Sequence, residues 1–254
     1  MKGRHMISRV AFVLAFVGSC AGLAQSPVTG SRECWPTPPG FAGAPYSADE
    51  TVTTLASGAR IAESGPFSMR SYRDSRGRTR RDQLASVSPN GEPSAFLIEI
   101  RDPEARLFYC LDVPRKVAHR YALPPMPPPR AGARVVVFNG PGTTTVSLGT
   151  DVIEGLQANG ARVTRIVPAG QVGNDRSIAT VTETWTSPDL PGVTLLTKLT
   201  DPRIGETTHR LVNLSRVEPD AGLFQPPPDY ACVDETERVK IQFTYYPPAT
   251  NARR

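Results

Sequence analysis

The sequence predicts a mainly β protein built on an antiparallel sheet. Apolar and polar residues alternate in short segments, which is the pattern of half-buried strands. Turn residues separate these segments at short intervals. Proline is abundant, with 26 residues in 254, about twice its usual share, and this disfavours long helices. No long apolar stripe has helical spacing, so we expect one or a few short helices at most, within 46–57 or 220–224.

The predicted strands follow one another as hairpins. The segment Ser68–Asp82 contains two strands joined at Asp74–Gly77, because a glycine supplies the positive φ of a tight turn. Next, Phe96, Ile98 and Ile100 alternate with polar residues as in a half-buried strand. Further strands are expected over 106–112, 116–121, 178–185, 193–199, 206–214 and 240–245.

Two further features shape the expected meander. Segments 151–157 and 162–167 flank Asn159-Gly160, a pair that suits a type I′ hairpin turn. Consecutive hairpins of this kind produce an antiparallel meander. Segment 123–130 (LPPMPPPR) interrupts it, since polyproline II is the natural state of such a run, and we interpret it as a stiff surface connection.

Residues 1–24 have the order of a secretory signal peptide. Lys2, Arg4 and Arg9 form a positive stretch, and Val10–Val17 is a short apolar run followed by small residues. The apolar run is too short to cross a bilayer. No later stretch approaches that length, so we expect an exported chain with no integral membrane segment after cleavage.

Two cleavage sites compete. Gly22-Leu23-Ala24 before Gln25 fits a signal peptidase site, whereas Val17-Gly18-Ser19-Cys20 resembles a lipobox in which Cys20 is lipidated. The first gives a periplasmic or secreted protein, and the second a protein anchored through Cys20. The expected organisation is then a Pro/Gly-rich linker or arm over 25–50, a β domain over 51–246 interrupted at 123–130, and a flexible tail over 247–254.

The charge pattern argues against nucleic acid. Removing residues 1–24 removes three basic residues and no acid, so the net charge falls from +5 to +2. A nucleic-acid reader normally carries a basic patch on the folded domain. The densest charge lies in the Ser68–Asp82 hairpin, where arginine forks suit an anionic group or an acidic partner. The alternative is a solvated hairpin whose arginine stems cover apolar surface. The candidate residues are Arg73, Arg78, Arg80 and Arg81.

Cysteine use permits at most one internal disulfide. Cys34, Cys110 and Cys232 remain after cleavage at Gln25, an odd number, and an oxidising compartment permits a bridge. Cys34 and Cys232 lie near the two ends of the domain, so we favour that pair. The spacings match no zinc pattern, and no metal is expected.

Nucleophilic catalysis finds no support in the sequence. The mature chain has two histidines, His119 and His209, and no nucleophile elbow, His-Glu-x-x-His motif or Walker loop. We therefore expect no catalytic residue and no cofactor. A secreted hydrolase with a carboxylate site is the alternative, because Glu99, Asp151, Glu154 and Glu183 lie in or beside predicted strands.

The stretch that begins at Asp201 (DPRIGETTHRLVNLSRVEPDAGLFQPPPDYACVD) resembles the tail of envelope proteins built like LolA and RseB. Trp185 with the segment 187–190 resembles the preceding hairpin of those proteins. The wider pattern (RDSRGRTRRD, LGTDVIEGL, PAGQVGND) is similar to uncharacterised exported bacterial proteins. The matching positions of the tail are Asp201, Gly205, Glu206, Leu211, Glu218, Pro219, Leu223, Phe224, Pro227 and Tyr230.

The resemblance implies a strongly curved antiparallel sheet, an unclosed β-barrel wrapped over one or more helices. It also implies a hydrophobic concave face that takes acyl chains. The chain departs from the family pattern in the arm over 25–50, in the interruption over 123–130 and in a strand-bearing tail after Cys232.

The leading functional hypothesis is a non-enzymatic cell-envelope binding module. It would hold a lipid or acyl ligand, or a protein partner, on a concave apolar sheet face. A structural envelope protein with proline arms as spacers is a further alternative. The residues expected to line the apolar face are Val181, Trp185, Val193, Leu195 and Leu211.

Overall fold

The computed structural model describes residues 26–36, 43–56, 59–63, 68–86, 88, 91–125 and 142–246. The predicted signal peptide, Cys20, the tail over 247–254 and the larger part of the 123–130 interruption lie outside these residues. Within them, no helix is long and apolar enough to span a membrane.

Fifteen strands and one 3₁₀ turn make up the described part of the chain. They are β1 (Val28–Cys34), β2 (Tyr46–Ala56), β3 (Ala59–Glu63), β4 (Ser68–Arg73), β5 (Thr79–Ser86), β6 (Pro93–Asp102), β7 (Leu107–Asp112), β8 (Val117–Ala122), β9 (Thr143–Ile153), β10 (Leu156–Val167), β11 (Ile178–Thr186), β12 (Thr194–Asp201), β13 (Gly205–Ser215), the 3₁₀ turn (Ala221–Phe224), β14 (Ala231–Asp234) and β15 (Val239–Tyr245).

Most strands form one large curved sheet. Its order is β14-β8-β7-β6-β5-β4-β2-β13-β12-β11-β10-β9, with β3 paired to β2. Neighbouring strands are antiparallel except β14, which runs parallel to β8. β1 and β15 form a separate antiparallel pair. The predicted fold class is confirmed: the chain is mainly β, and its antiparallel-dominated sheet curves without closing into a barrel.

The local turn and helix predictions have mixed outcomes. The Asp74–Gly77 turn is confirmed, with Gly77 at φ +82° and the Gly77 N–H donating to the Asp74 carbonyl. A short helix is confirmed within 220–224 as the 3₁₀ turn, where Asp220 accepts from the Gly222 N–H. The other helix candidate, 46–57, is wrong, because β2 occupies it and pairs with β4 and β13 on its two sides.

The predicted Asn159-Gly160 hairpin turn is wrong. The chain reverses instead at Glu154-Gly155, whose φ angles are +50° and +75°. β10 continues through Asn159 and Gly160, with a shift in its pairing to β9 after Gly160. Gly160 serves packing: it lies opposite Trp185, and a Cβ there would lie 2.7 Å from an indole carbon. Gly160 therefore leaves room for the Trp185 ring and does not form a turn.

Gly160→Ala is expected to lower the free energy of unfolding by about 1–3 kcal/mol, because the added methyl group forces the Trp185 ring to move. Urea unfolding in a Trp35→Phe background would show this, since Trp185 is then the only tryptophan. Asn159→Ala is the control and should change stability by less than about 0.5 kcal/mol, since that side chain is exposed. Equal costs for the two variants would instead favour a turn at this dipeptide.

The linker or arm predicted for 25–50 contains strand structure at both ends. Val28–Cys34 forms β1 and pairs with β15, and β2 begins at Tyr46 instead of near Thr51. β1 escapes sequence patterning because Cys34 is its one buried residue and its single aliphatic residue, Val28, is exposed. Gly30 faces the Phe243 ring, so close that a Cβ would lie 2.7 Å from it.

The β1–β15 pair packs on one face of β5 to β8. Phe243 stacks on Phe96 with ring centroids 3.9 Å apart. The opposite face of β6 is also buried, because Ile98 and Ile100 pack with Phe224 of the 3₁₀ turn. A bulge in the β5–β6 pairing turns Phe96 away from these isoleucines. The hydrophobic cluster between the β1–β15 pair and the large sheet comprises Cys34, Ala85, Phe96, Leu97, Phe108, Cys110, Tyr121, Ile241 and Phe243.

The predicted Cys34–Cys232 disulfide is wrong. Cys34 is bonded to Cys110, with Cα atoms 6.2 Å apart, and Cys232 is an exposed free thiol. β1 lies over β7, which places Cys34 on Cys110. β14 pairs with β8 at the sheet edge, with Cys232 opposite Ala118, whose side chain packs on the other face of the sheet. Cys34 and Cys232 lie near the two ends of the domain sequence, but the strand order keeps them apart in the structure.

Candidate functional site

A cavity of about 500 Å³, with polar and apolar lining in similar measure, opens in the middle of the sheet, on the face that also carries the β1–β15 pair. We call it the trough. Its volume lies within the range of small-molecule sites. The residues that line it are Tyr46, Glu50, Ser71, Tyr72, Thr79, Arg80, Arg81, Arg101, Gly192, Val193, Thr194, Thr197, His209, Arg210 and Leu211.

The trough exists because the sheet bends toward this face. β6 and β12 are five places apart in the strand order, which corresponds to about 24 Å in a flat sheet. Both nevertheless line the trough, through Arg101 and Thr197. The loop between β11 and β12 closes one side, through Gly192 and Val193. The inner face of the curve is therefore a concave surface with an open centre.

Strand alternation decides which charged groups face the trough. Arg81 and His209 belong to the inner face, whereas their neighbours Arg80 and Arg210 direct their guanidinium groups elsewhere. Arg80 binds the Asp82 carboxylate at 2.6 Å and donates to the Leu223 carbonyl at 3.0 Å. Arg210 lies 3.8 Å from Glu154. Arg80 and Arg210 therefore line the trough without directing their charged groups into it.

Glu50 is the central charged group of the trough. One of its carboxylate oxygens lies 3.0 Å from the His209 Nδ1, and the other lies 4.0 Å from an Arg81 Nη. The Glu50 side chain is 14% exposed, whereas that of Arg81 is 54% exposed. The carboxylate is therefore held inside the protein, and the guanidinium of Arg81 faces the opening.

Tyr46 and Arg73 shape one end of the trough. Burial raises the pKa of Tyr46, with a smaller contribution from Glu50, while Arg73 and Arg81 act in the opposite direction. Arg73 lies over the Tyr46 ring and donates to the carbonyls of Ala44 and Pro191 at 3.0 and 2.9 Å. These bonds tie β4 to the loop that closes the trough.

Arg101 lies at the β6 side of the trough. It is almost fully buried, with its guanidinium 5.4 Å from the Phe108 ring. Burial lowers the pKa of Arg101, an effect that the nearby Glu99 partly opposes. Arg101 therefore places a positive charge where the trough meets the hydrophobic cluster under the β1–β15 pair.

The four arginines predicted to bind an anion or a partner are not equivalent. Arg73 and Arg78 are buried at 2% and 5% exposure, and Arg78 is bound to Asp74 at 2.6 Å. The solvated-hairpin alternative is wrong for these two residues, since both are tied into the fold. Arg80 is engaged by Asp82, and Arg81 alone of the four presents an exposed guanidinium to the trough.

The predicted apolar face is mostly core. Leu195 is fully buried, and Leu211 and Val193 are 6% and 8% exposed. They pack with Ala48, Ile153, Ala158 and Leu190, although Val193 and Leu211 also touch the trough wall. Trp185 packs beside this cluster against Gly160, and Val181 is half-buried on β11. The five residues therefore do not line an open apolar cavity together.

The acids proposed for a hydrolase lie apart. Glu183 binds Arg162 at 2.7 Å, and Glu154 sits in the β9–β10 turn. Asp151 is exposed on β9, and Glu99 lies opposite Arg81 on β6. Across the described ranges, no cluster of three or more His, Cys, Asp or Glu side chains could hold a metal ion.

Glu50, the acid in the trough, was missed at the sequence level because sheet patterning was placed from Thr51 onward. Ala48 and Val52 alternate with the polar residues Asp49, Thr51 and Thr53, and this strand pattern, which places Glu50 on the same face as Ala48 and Val52, is the signal that could have revealed it.

No family model matches the chain, and no curated protein matches it. Among solved structures it is similar to MucB bound to MucA from Pseudomonas aeruginosa, at 13% identity and a TM-score of 0.42, over 76% of this chain and 59% of that one. It is also similar to the lipoprotein LppX from Mycobacterium tuberculosis, at 13% identity and a TM-score of 0.28, over 66% of this chain and 85% of that one.

A DUF1329 family protein from Desulfovibrio piger is a further similar structure, at 9% identity and a TM-score of 0.22, over 72% of this chain and 90% of that one. MucB is an RseB-like protein. The chain spans less than two thirds of the length of MucB. With TM-scores below 0.5, none of them assigns a ligand or a partner to this chain.

Proposed function

We propose that this chain is a non-enzymatic binding module of the bacterial cell envelope, and that its ligand or partner binds in the trough. The observation that carries the proposal is an open cavity of about 500 Å³ at the centre of a concave sheet face. An open concavity with a few convergent polar groups is the usual form of a binding site. The envelope location rests on the signal-peptide pattern of residues 1–24.

A polar ligand has more support than an acyl chain. Leu195 has no exposed surface, and Leu211 and Val193 are buried by neighbouring core residues, so this apolar face has little area left to offer a lipid tail. The trough instead presents hydroxyl, guanidinium and imidazole groups. Such groups bind ligands through directed hydrogen bonds and charge.

A binding role also has more support than hydrolysis. Glycoside hydrolysis needs two carboxyl groups that face each other across the scissile bond. Glu50 is the carboxylate that lines the trough among the described residues, and His209 and Arg81 hold it. Glu154 and Glu183 are engaged outside the trough, and Glu99, which lies opposite Arg81 in the β5–β6 pairing, is not among the residues that line it.

Thr197→Trp tests the proposal by filling the trough with an indole ring. Native mass spectrometry of protein purified gently from its own envelope fraction should show a bound species of defined mass, reduced at least about tenfold in the variant. Thr186→Trp, at an exposed position on β11 outside the trough, is the matched control and should keep the bound species. A bare wild-type mass, or equal loss in both folded variants, would contradict the proposal.

A further inference from the structure

The trough is rich in groups that donate hydrogen bonds to anions. Guanidinium and hydroxyl groups bind carboxylate and phosphate oxygens well, and an arginine can form a bidentate pair with them. Among the trough residues that the structure describes, Glu50 is the one carboxylate. The inner-face donors are Arg81, Arg101, His209, Ser71, Thr79 and Thr197.

Arg81 has unused binding capacity. Its Nη atom lies 4.0 Å from the Glu50 carboxylate, which is an ion-pair distance but is too long for a hydrogen bond. Glu50 is closer to His209, at 3.0 Å. A guanidinium offers five N–H donors, and the 54% exposure of the Arg81 side chain leaves them open to an incoming group.

Arg101 lies diagonally across from Arg81 on the same face. It pairs in register with Thr79, two residues before Arg81, whereas Arg81 pairs with Glu99. Diagonal neighbours in a sheet are about 7–8 Å apart and within reach of long side chains. Arg81 and the hydroxyl of Thr79 are thus the donors along this side of the trough, with the buried Arg101 adding positive charge beside them and Glu99 lying next to Arg81 in the neighbouring strand.

We infer that the trough takes a ligand bearing a carboxylate or phosphate group, which binds Arg81 in place of the internal carboxylate of Glu50. The inference rests on the proposed function and names the ligand chemistry of the same site. Glu50 holds the basic groups in position while the trough is empty. The same carboxylate opposes anion entry by repulsion and by competition for Arg81, so Arg81 and Glu50 should affect affinity in opposite directions.

The test is isothermal titration of the mature protein with inorganic phosphate and with citrate. Arg81→Gln should weaken binding about tenfold, because it removes a charge-assisted bond. Glu50→Gln keeps the shape of the side chain but removes its charge, and it should tighten binding about tenfold. Arg81→Lys should fall between wild type and Arg81→Gln, since lysine keeps the charge without the fork.

Arg162→Gln and Glu183→Gln are matched controls for the two charge changes. They break an arginine–glutamate pair 2.7 Å apart on β10 and β11, outside the trough. Both should bind phosphate and citrate as the wild type does. The inference is overturned if the wild type binds neither anion in these titrations and no anionic vesicle in the assay below, or if Glu50→Gln weakens binding as Arg81→Gln does.

Two further arms identify the source of the anion and separate this inference from the proposed function. Co-sedimentation with phosphatidylglycerol vesicles but not phosphatidylcholine vesicles, lost in Arg81→Gln, would assign the anion to a lipid headgroup. Phosphate or citrate binding without vesicle binding would assign it to a soluble molecule. A bound species that Thr197→Trp removes, combined with no anion binding in any arm, would overturn this inference and leave the proposed function standing.

Discussion

Replacing Cys34 and Cys110 together by alanine is expected to lower the free energy of unfolding by about 3–5 kcal/mol. The bridge closes a loop with a sequence separation of 76, and chain entropy alone assigns about 4 kcal/mol to a loop of that length. It also ties the β1–β15 pair to the large sheet, through two residues with no exposed surface. For a chain of this size we expect the Tm to fall by about 10 °C.

Chemical denaturation of the oxidised protein and of the double variant measures this difference. Cys232→Ala is the control and should change stability by less than about 0.5 kcal/mol, because the thiol is exposed and unbridged. Thiol labelling of the native protein cleaved at Gln25 should modify Cys232 and leave Cys34 and Cys110 unmodified. The opposite pattern, with a large cost at Cys232 and none for the double variant, would show that the bridge is placed wrongly.

The second large effect concerns the buried pair of Asp74 and Arg78. Their side chains are 1% and 6% exposed. The Asp74 carboxylate accepts from the backbone N–H groups of Arg76 and Arg78 and from the Arg78 Nε, at 3.1, 2.8 and 2.6 Å. Asp74→Ala leaves the guanidinium of Arg78 buried without its counter-charge, so we expect a loss of about 3–5 kcal/mol.

A double-mutant cycle tests this prediction by urea unfolding. Asp74→Ala with Arg78→Met should be more stable than Asp74→Ala alone, because methionine removes the orphaned charge and still covers the Phe224 ring, which now lies 4.9 Å from the guanidinium. Glu33→Ala, which breaks the exposed pair with Arg238, is the control and should cost less than about 1 kcal/mol. A cost of Asp74→Ala as small as that of the control would mean that water reaches the pair.

Hairpin positions were predictable where the local pattern was unambiguous. Alternation found β4 to β8 and the Asp74–Gly77 turn, because those signals involve neighbours in the chain. The Asn159-Gly160 prediction failed because the same dipeptide serves either a tight turn or a close ring contact. Which of the two applies depended on Trp185, which lies 25 residues further along the chain and meets Gly160 through sheet pairing.

The candidate site was less predictable than the fold. Arg81 was among the predicted residues, but so were Arg73 and Arg78, which the fold buries. Sequence alternation shows which residues of a strand share a face, but it does not show which face of the strand other parts of the chain bury. Glu50 and His209 are 159 residues apart and meet only because β2 and β13 are neighbours.

The sequence by itself determined the antiparallel β class, most of the hairpins and the export pattern of residues 1–24, and it left two candidate places for a short helix. These follow from short-range periodicity, turn chemistry and composition, each of which acts within a few residues. The tertiary structure alone decided the Cys34–Cys110 bridge, the burial of Leu195 and the meeting of Glu50, His209 and Arg81. These depend on strand order and sheet curvature, which bring together residues that no local pattern connects.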